Sequence, residues 1–238
     1  TSIALNNSKI YDAEGHEGVA NGLITFKYLK NFDYHIRLGL KDMLVMNTHE
    51  TEDLPFYGKV YATGNVNLQG GAGKGLDITS AIKTNSNSTF VYINRNTSSA
   101  INNQFITFVD KTPRRNVDSI DVATPEVNNT FSNISSDIHL NLQVNATPDA
   151  TLKIIMDPLA GDNITARGSG NIRCEFYNKG AFRMFGTYTI SEGDYKFSLQ
   201  QVIRKDFTIK SGSTITFSGA PLDATLNVQA SYIVNSAS

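Results

Sequence analysis

Apolar and polar residues alternate along most of the chain with a period of two. Every second residue is apolar over 138–144, and the same pattern holds over 195–199. Such alternation is typical of β-strands that bury one face. Turn-forming residues separate these runs at 178–180, 192–194 and 211–213. The pattern predicts an all-β fold with a strand about every 10–13 residues and few or no helices.

The segment 211–230 shows how one-sided the pattern is. Ile215 and Phe217 alternate with Thr and Ser, and after the turn Gly219–Asp223 the apolar residues are Leu226 and Val228. The segment therefore predicts a hairpin whose apolar side chains share one face.

The chain has 238 residues, enough to bury a substantial core. The stretch 111–129 carries two prolines and mixed charge, and it predicts a flexible connection between two β-rich halves, 1–110 and 130–238. A long loop within one elongated β-domain, 1–238, is favoured over a domain boundary. The chain is interpreted as a fragment of a longer protein. About 15–18 strands stacked in one curled sheet would form a body roughly 70–85 Å long.

Charge and cysteine content restrict the possible partners. The formal net charge of −1 provides no basic surface for nucleic acid, so no nucleic-acid partner is expected. The single cysteine, Cys174, excludes an intrachain disulfide and a cysteine-based zinc site. Cys174 is in phase with Ile172 and Phe176, which predicts that it packs in the core.

No group of residues has the spacing of a catalytic or metal site. The four histidines are far apart in the sequence. The run "GGAGKG" at 70–75 lacks the Ser or Thr and the helix of a phosphate-binding loop, so it predicts a hairpin loop. Asp157 and Asp162 lie among turn residues, where carboxylates are common. The expectation is a protein without enzymatic activity, metal or cofactor.

The long apolar faces are the remaining candidate for function. Such a face either closes into a core or stays partly open and binds another apolar object. The candidate lipid-groove residues are Ile138, Leu140, Leu142, Leu152, Ile154, Met156, Ile172, Phe176, Phe182, Met184, Tyr188, Ile190, Tyr195, Phe197, Leu199, Phe207, Ile209, Ile215, Phe217, Leu226 and Val228.

An ordered set of short motifs in the second half resembles a known family. In chain order, the motifs are Asp157-Pro158, Gly168–Asn171, Gly186-x-Tyr188, Gly193–Phe197, Phe207-x-Ile209, Gly212-x-x-Ile215 and Gly219–Ala224. In this order they are similar to the C-terminal domain of TamB, the translocation and assembly module subunit of the AsmA-like superfamily. Residues 44–71 resemble the upstream portion of Bacteroidetes-type members.

The resemblance implies a bacterial periplasmic protein, tethered to the inner membrane by a segment absent from this chain. It also implies an outer-membrane partner, a BamA-type barrel (TamA-like). The implied fold is a β-sheet curled into an elongated hydrophobic trough, a β-taco. The implied roles are lipid passage between the membranes and assembly of outer-membrane proteins. The family supplies no catalytic residues.

Three functions compete at this point. In the first, lipid acyl chains or other apolar cargo lie along the apolar face. In the second, an exposed sheet edge pairs with a strand of a client or of the barrel partner. The third, a carbohydrate-binding or structural sandwich, fits the composition but not the resemblance.

Overall fold

The computed structural model describes residues 1–28, 30–51, 54–94, 136–199 and 203–232. Within these ranges the regular structure is almost entirely β-strand, and helical structure is limited to one 3₁₀ turn, Pro221–Asp223. The all-β prediction is confirmed. The connection predicted at 111–129 lies outside the described residues.

The described strands follow one another along the chain with short turns between most of them. In order they are β1 (Ser2–Tyr11), β2 (Glu17–Lys27), β3 (Lys30–Thr48), β4 (Phe56–Gly71), β5 (Gly75–Thr84), β6 (Thr89–Ile93), β7 (Ile138–Ala146), β8 (Thr151–Asp157), β9 (Asp162–Tyr177), β10 (Arg183–Leu199), β11 (Ile203–Ile209), β12 (Thr214–Gly219), β13 (Thr225–Asn227) and β14 (Ala230–Ser231).

Most of the predicted turns are confirmed. Turns occupy 72–74, 178–180 and the start of 211–213, and the predicted hairpin pairs Ile215 of β12 with Leu226 of β13. The turn predicted at 192–194 is wrong, because these residues lie inside β10. The pairing of β10 with β9 shifts register immediately before them, so the strand is irregular here without ending.

All described strands belong to one sheet, whose main order is β1-β2-β3-β4-β5-β7-β9-β10-β11-β14. The remaining four lie end to end with members of this order: β6 with β5, β8 with β7, β12 with β11 and β13 with β14. Ten stacked strands span about 43 Å. The predicted length is therefore wrong for this part of the chain, because the short strands share rows and do not add new ones.

The joints between the end-to-end strands line up across the sheet, and we call this line the crease. It contains residues 85–88, 147–150 and 210–213, and it crosses β9 at Gly168 and β10 at Ile190. Backbone hydrogen bonds link neighbouring joints: Thr151 N donates to Ser88 O at 2.8 Å, and Ile190 N donates to Ser213 O at 2.8 Å. The crease thus continues the sheet where the strands themselves are interrupted.

Buried polar side chains replace the backbone pairing that the crease interrupts. Tyr61 N donates to Ser88 Oγ at 3.0 Å, and Ser88 Oγ donates to Tyr61 O at 3.2 Å. Thr147 N donates to Thr84 Oγ1 at 2.9 Å. Ser88, Thr84 and Thr147 are all buried, so these bonds satisfy groups that would otherwise be costly to remove from water.

The close approach of β9 and β10 at the crease explains the two glycines of the Gly168–Asn171 motif. A Cβ atom on Gly168 would lie 2.1 Å from Thr189 O, and one on Gly170 would lie 2.4 Å from Thr187 O. Strands β9 and β10 therefore approach too closely here for any side chain, and only glycine fits.

The sheet folds over at the crease, so that two layers face each other. The first layer consists of β5, β7 and β12 with the parts of β4, β9 and β10 paired to them. The second layer consists of β6, β8 and β11 with the remaining paired parts of the same long strands. Successive strand pairs place Phe56 of β4 in the same row across the sheet as Ile164 of β9. If β9 were straight, Ile164 would lie about 40 Å from Phe176. Because the rings of Phe56 and Phe176 nevertheless lie 5.8 Å apart, the layers must face each other.

The turn between β1 and β2 is fixed onto the neighbouring strands by charged side chains. The Asp12 carboxylate accepts a hydrogen bond from Leu44 N at 2.7 Å and lies 2.8 Å from His16 Nδ1. Glu14 accepts from Lys59 Nζ at 2.6 Å. Burial acts to raise the pKa of Asp12, but the hydrogen bonds from Leu44, His16 and Glu14 outweigh it and hold that pKa well below its usual value. The bond to Asp12 in turn raises the pKa of His16.

Candidate functional site

Strand pairing aligns the apolar residues of neighbouring strands into rows. One row runs from Leu68 through Ile78 and Leu140 to Phe176. We call the face that carries these rows the inner face, because it is the face enclosed between the two layers where they meet. Period-two alternation in each strand is sufficient to produce it, since directly paired residues point to the same side.

The predicted groove residues divide by burial. One residue, Leu226, is exposed (50 %), and Leu199 lies at the end of β10, where the structure does not describe its side chain. The buried residues are Ile154, Ile172, Met184, Tyr188, Ile190, Ile209, Ile215 and Phe217. The half-buried residues are Ile138, Leu140, Leu142, Leu152, Met156, Phe176, Phe182, Tyr195, Phe197, Phe207 and Val228.

The buried group forms a closed core between the layers. Ile164 and Tyr92 of the second layer belong to the same cluster as Met184 and Phe217 of the first. Burial raises the pKa of Tyr188 and that of Cys174 each to about 12, and Cys174 packs against this core as predicted. In this arrangement the buried side chains contact one another.

The half-buried group continues into strands that the predicted site did not include. Ile36 and Leu38 of β3, Val66 and Leu68 of β4 and Ile78 of β5 are half-buried and lie in the same inner-face rows. The alternation in these strands is visible in the sequence. What sequence reasoning missed is that β5 and β7 pair directly, which joins the first half of the chain to the predicted site.

The rows from β3 to β7 carry no charge. Ser80 is the one polar side chain among positions 36–40, 64–68, 78–82 and 140–144 on the inner face. It is 8 % exposed, and its hydroxyl has no hydrogen-bond partner within the described residues.

The outer face has the opposite chemistry. A depression of about 350 Å³ is lined in part by Asp33 and Lys74, and one of about 480 Å³ by His35, Arg37 and Asn67. Charged and amide side chains line both. Leu23 and Tyr34 also line the first depression, whereas the second is lined by polar side chains alone and suits polar solutes. The uncharged inner face is the candidate for apolar ligands.

Neither metal ligation nor a membrane-spanning helix is found in the ranges that the structure describes. No three His, Cys, Asp or Glu side chains in them group as metal ligands. No helix in them is both long enough and apolar enough to cross a membrane.

Comparison with known proteins identifies a matching family model. The family model described as the TamB C-terminal domain matches residues 6–238, which is nearly the whole chain. The curated proteins and the solved structures contain no significant match to it.

Proposed function

Because the chain belongs to the TamB C-terminal domain family, we propose that its inner face carries lipid acyl chains or other apolar clients across the bacterial periplasm, between the inner and outer membranes. Membership of the family supports a role in assembly or transport at the outer membrane of the bacterial envelope. The proposed role involves no catalysis and no cofactor. The proposed partners are the lipid and an outer-membrane BamA-type barrel protein, TamA-like.

The observation that carries the proposal is the uncharged, half-buried inner face of β3, β4, β5 and β7. Its rows cross four paired strands, and a chain lying along the row Ile36–Leu68–Ile78–Leu140 would contact Ile and Leu side chains throughout. Covering apolar surface contributes roughly 25 cal/mol per Å². An acyl chain gains this without any desolvation of charge, whereas a polar ligand would lose hydrogen bonds to water.

The experiment places a photo-crosslinking amino acid at Leu142 and, in a matched control, at Gln143. Leu142 is half-buried on the inner face, and Gln143 is the next residue and points to the outer face. We expect lipid capture in intact cells from position 142 and not from position 143. Phe217 is a poorer position because it is 3 % exposed and packs within the closed core.

Two outcomes would contradict the lipid proposal. One is equal capture from both positions, which would mean that the face does not matter. The other is an absence of lipid at position 142 in a folded, functional variant.

The second candidate function is pairing of a sheet edge with a strand of a client or barrel protein. Among the described strands β1 pairs with β2 alone, and its residues Ile3 and Tyr11 are 51 % and 60 % exposed. An edge strand with free backbone groups is a template for strand addition. Capture of a polypeptide from a probe at Ile3, without lipid capture at Leu142, would favour this function.

A further inference from the structure

Five aromatic side chains join the two layers on the side away from the crease, and we call them the aromatic clasp: Phe56, Phe90, Tyr92, Phe176 and Phe182. The ring centroids of Phe56 and Phe182 lie 5.1 Å apart, and those of Tyr92 and Phe182 lie 6.0 Å apart. Phe56 also stacks on Phe90 at 6.1 Å and meets the edge of Phe176 at 5.8 Å. These contacts link residues of β4 and β6 to the end of β9 and to Phe182, the residue immediately before β10.

The clasp and the crease hold the layers by different means. At the crease the chain itself passes from one layer to the other, and backbone hydrogen bonds connect the joints. At the clasp the contact between layers is made by rings, four of which are only half-buried. The ring contacts can break when the side chains change rotamer, and this breaks no backbone hydrogen bonds between strands. The layers can therefore separate on the side of the clasp.

The clasp also lies between the open and closed parts of the inner face. Phe176 is the last residue of the row Leu68–Ile78–Leu140–Phe176 and is at the same time a member of the clasp. Tyr92, another member of the clasp, belongs to the buried core together with Ile154 and Met184. An apolar chain that followed the row would therefore arrive at the clasp and have the core behind it.

We infer that the aromatic clasp is the entrance through which an acyl chain passes from the open inner face to the space between the layers. This inference rests on the proposed function. An acyl chain between the parted rings replaces ring–ring contacts with ring–chain contacts, so the apolar surface remains out of water. Opening of the clasp thereby controls whether an acyl chain can reach the buried residues of the predicted groove.

The test locks the clasp with a reversible cross-link. The variant carries Phe56→Cys and Phe182→Cys with Cys174→Ala, and a bis-methanethiosulfonate reagent joins the two thiols until a reductant is added. A matched control in the same background carries Thr187→Cys and Thr216→Cys, which are direct partners within the first layer. The readout is transfer of fluorescent phosphatidylethanolamine to the chain from vesicles of phosphatidylethanolamine and phosphatidylglycerol.

We expect the clasp cross-link to lower lipid uptake about tenfold or more, because it removes the open state, and reductant to restore it. The control cross-link should leave uptake unchanged. Equal uptake by the cross-linked and reduced clasp variant overturns the inference and leaves the proposed function standing. Absence of uptake by the unmodified chain as well overturns the proposed function and the inference with it.

A second variant keeps the test decisive if the double-cysteine chain does not fold. Phe182→Leu retains an apolar side chain but removes the ring contacts with Phe56 and Tyr92. The loosened clasp should take up lipid faster than the parent. An unchanged or slower rate contradicts the inference.

Discussion

Phe217 belongs to the buried core between the two layers and is 3 % exposed. Phe217→Ala should lower the free energy of unfolding by about 3–5 kcal/mol, the usual cost of deleting a buried aromatic ring. Urea denaturation followed by circular dichroism measures this change. Phe32→Ala is the matched control, since Phe32 is 45 % exposed, and it should cost much less. Equal losses for the two variants would contradict the closed core.

His16 gives the stability of the molecule a predictable pH dependence. Its pKa is raised from the ordinary value of 6.5, chiefly by the hydrogen bond with Asp12. A raised folded pKa means that the folded state holds the proton more tightly. The stabilisation is therefore complete below the unfolded pKa and is lost as the pH rises through the raised folded value.

The corresponding measurement is the melting temperature at a series of pH values from about 6 to about 9. The melting temperature of the parent chain should fall as the pH rises through the pKa of His16. His16→Gln should remove this part of the slope, because glutamine does not titrate. A slope of the same size in His16→Gln would show that His16 does not cause it.

At the scale of elements, the crease depends on the hydroxyl of Ser88. This side chain pairs with both the N–H and the C=O of Tyr61. Ser88→Ala removes the partner of the Tyr61 N–H, while Tyr61 O keeps its hydrogen bond from Asn85 N at 2.9 Å. The substitution should cost about 1–3 kcal/mol of unfolding free energy. Ser86→Ala, in the same turn but exposed, should stay within about 0.5 kcal/mol. Urea titrations of the two variants side by side decide the question, and equal midpoints would exclude the proposed role of the Ser88 hydroxyl.

The strands could be predicted from the sequence because alternation identifies them directly. The run from Ile138 to Val144 became β7 with each apolar residue half-buried and each polar residue between them exposed. The crease could not be predicted in this way. The crease requires several strands to bend or end at the same level across the sheet. The sequence predicted a turn at 192–194, yet Gly193 lies inside β10. Local sequence does not encode that alignment, because it arises from pairing.

For a similar reason, the sequence could not predict which residues of the candidate site are buried and which are half-buried. Ile215 and Leu140 both occupy apolar positions of alternating strands, yet Ile215 is fully buried and Leu140 is half-buried. Alternation assigns a residue to a face, and only the folding of the sheet decides whether a second layer covers that face. The open and closed parts of the inner face therefore look alike in the sequence.

At the scale of the whole molecule, protection against hydrogen exchange should follow position in the sheet. Strand β9 is paired along both edges, with β7 and β8 on one side and β10 on the other. Among the described strands, β1 is paired along one edge. Amides in β9 should exchange slowest and those in β1 among the fastest, because local opening costs least at an edge. Mass spectrometry of peptides from the two strands measures this, and equal protection would contradict the observed strand order.

The parallel pairing of β5 with β7 has a consequence for how the chain is made. Leu76 of β5 lies opposite Ile138 of β7, 62 positions later in the sequence. Contacts between such distant residues form slowly, since a long loop must close first. During synthesis β5 is complete well before its neighbour, and its edge stays available to other chains in that interval. A chaperone that shields strand edges would therefore matter most between the synthesis of β5 and that of β7.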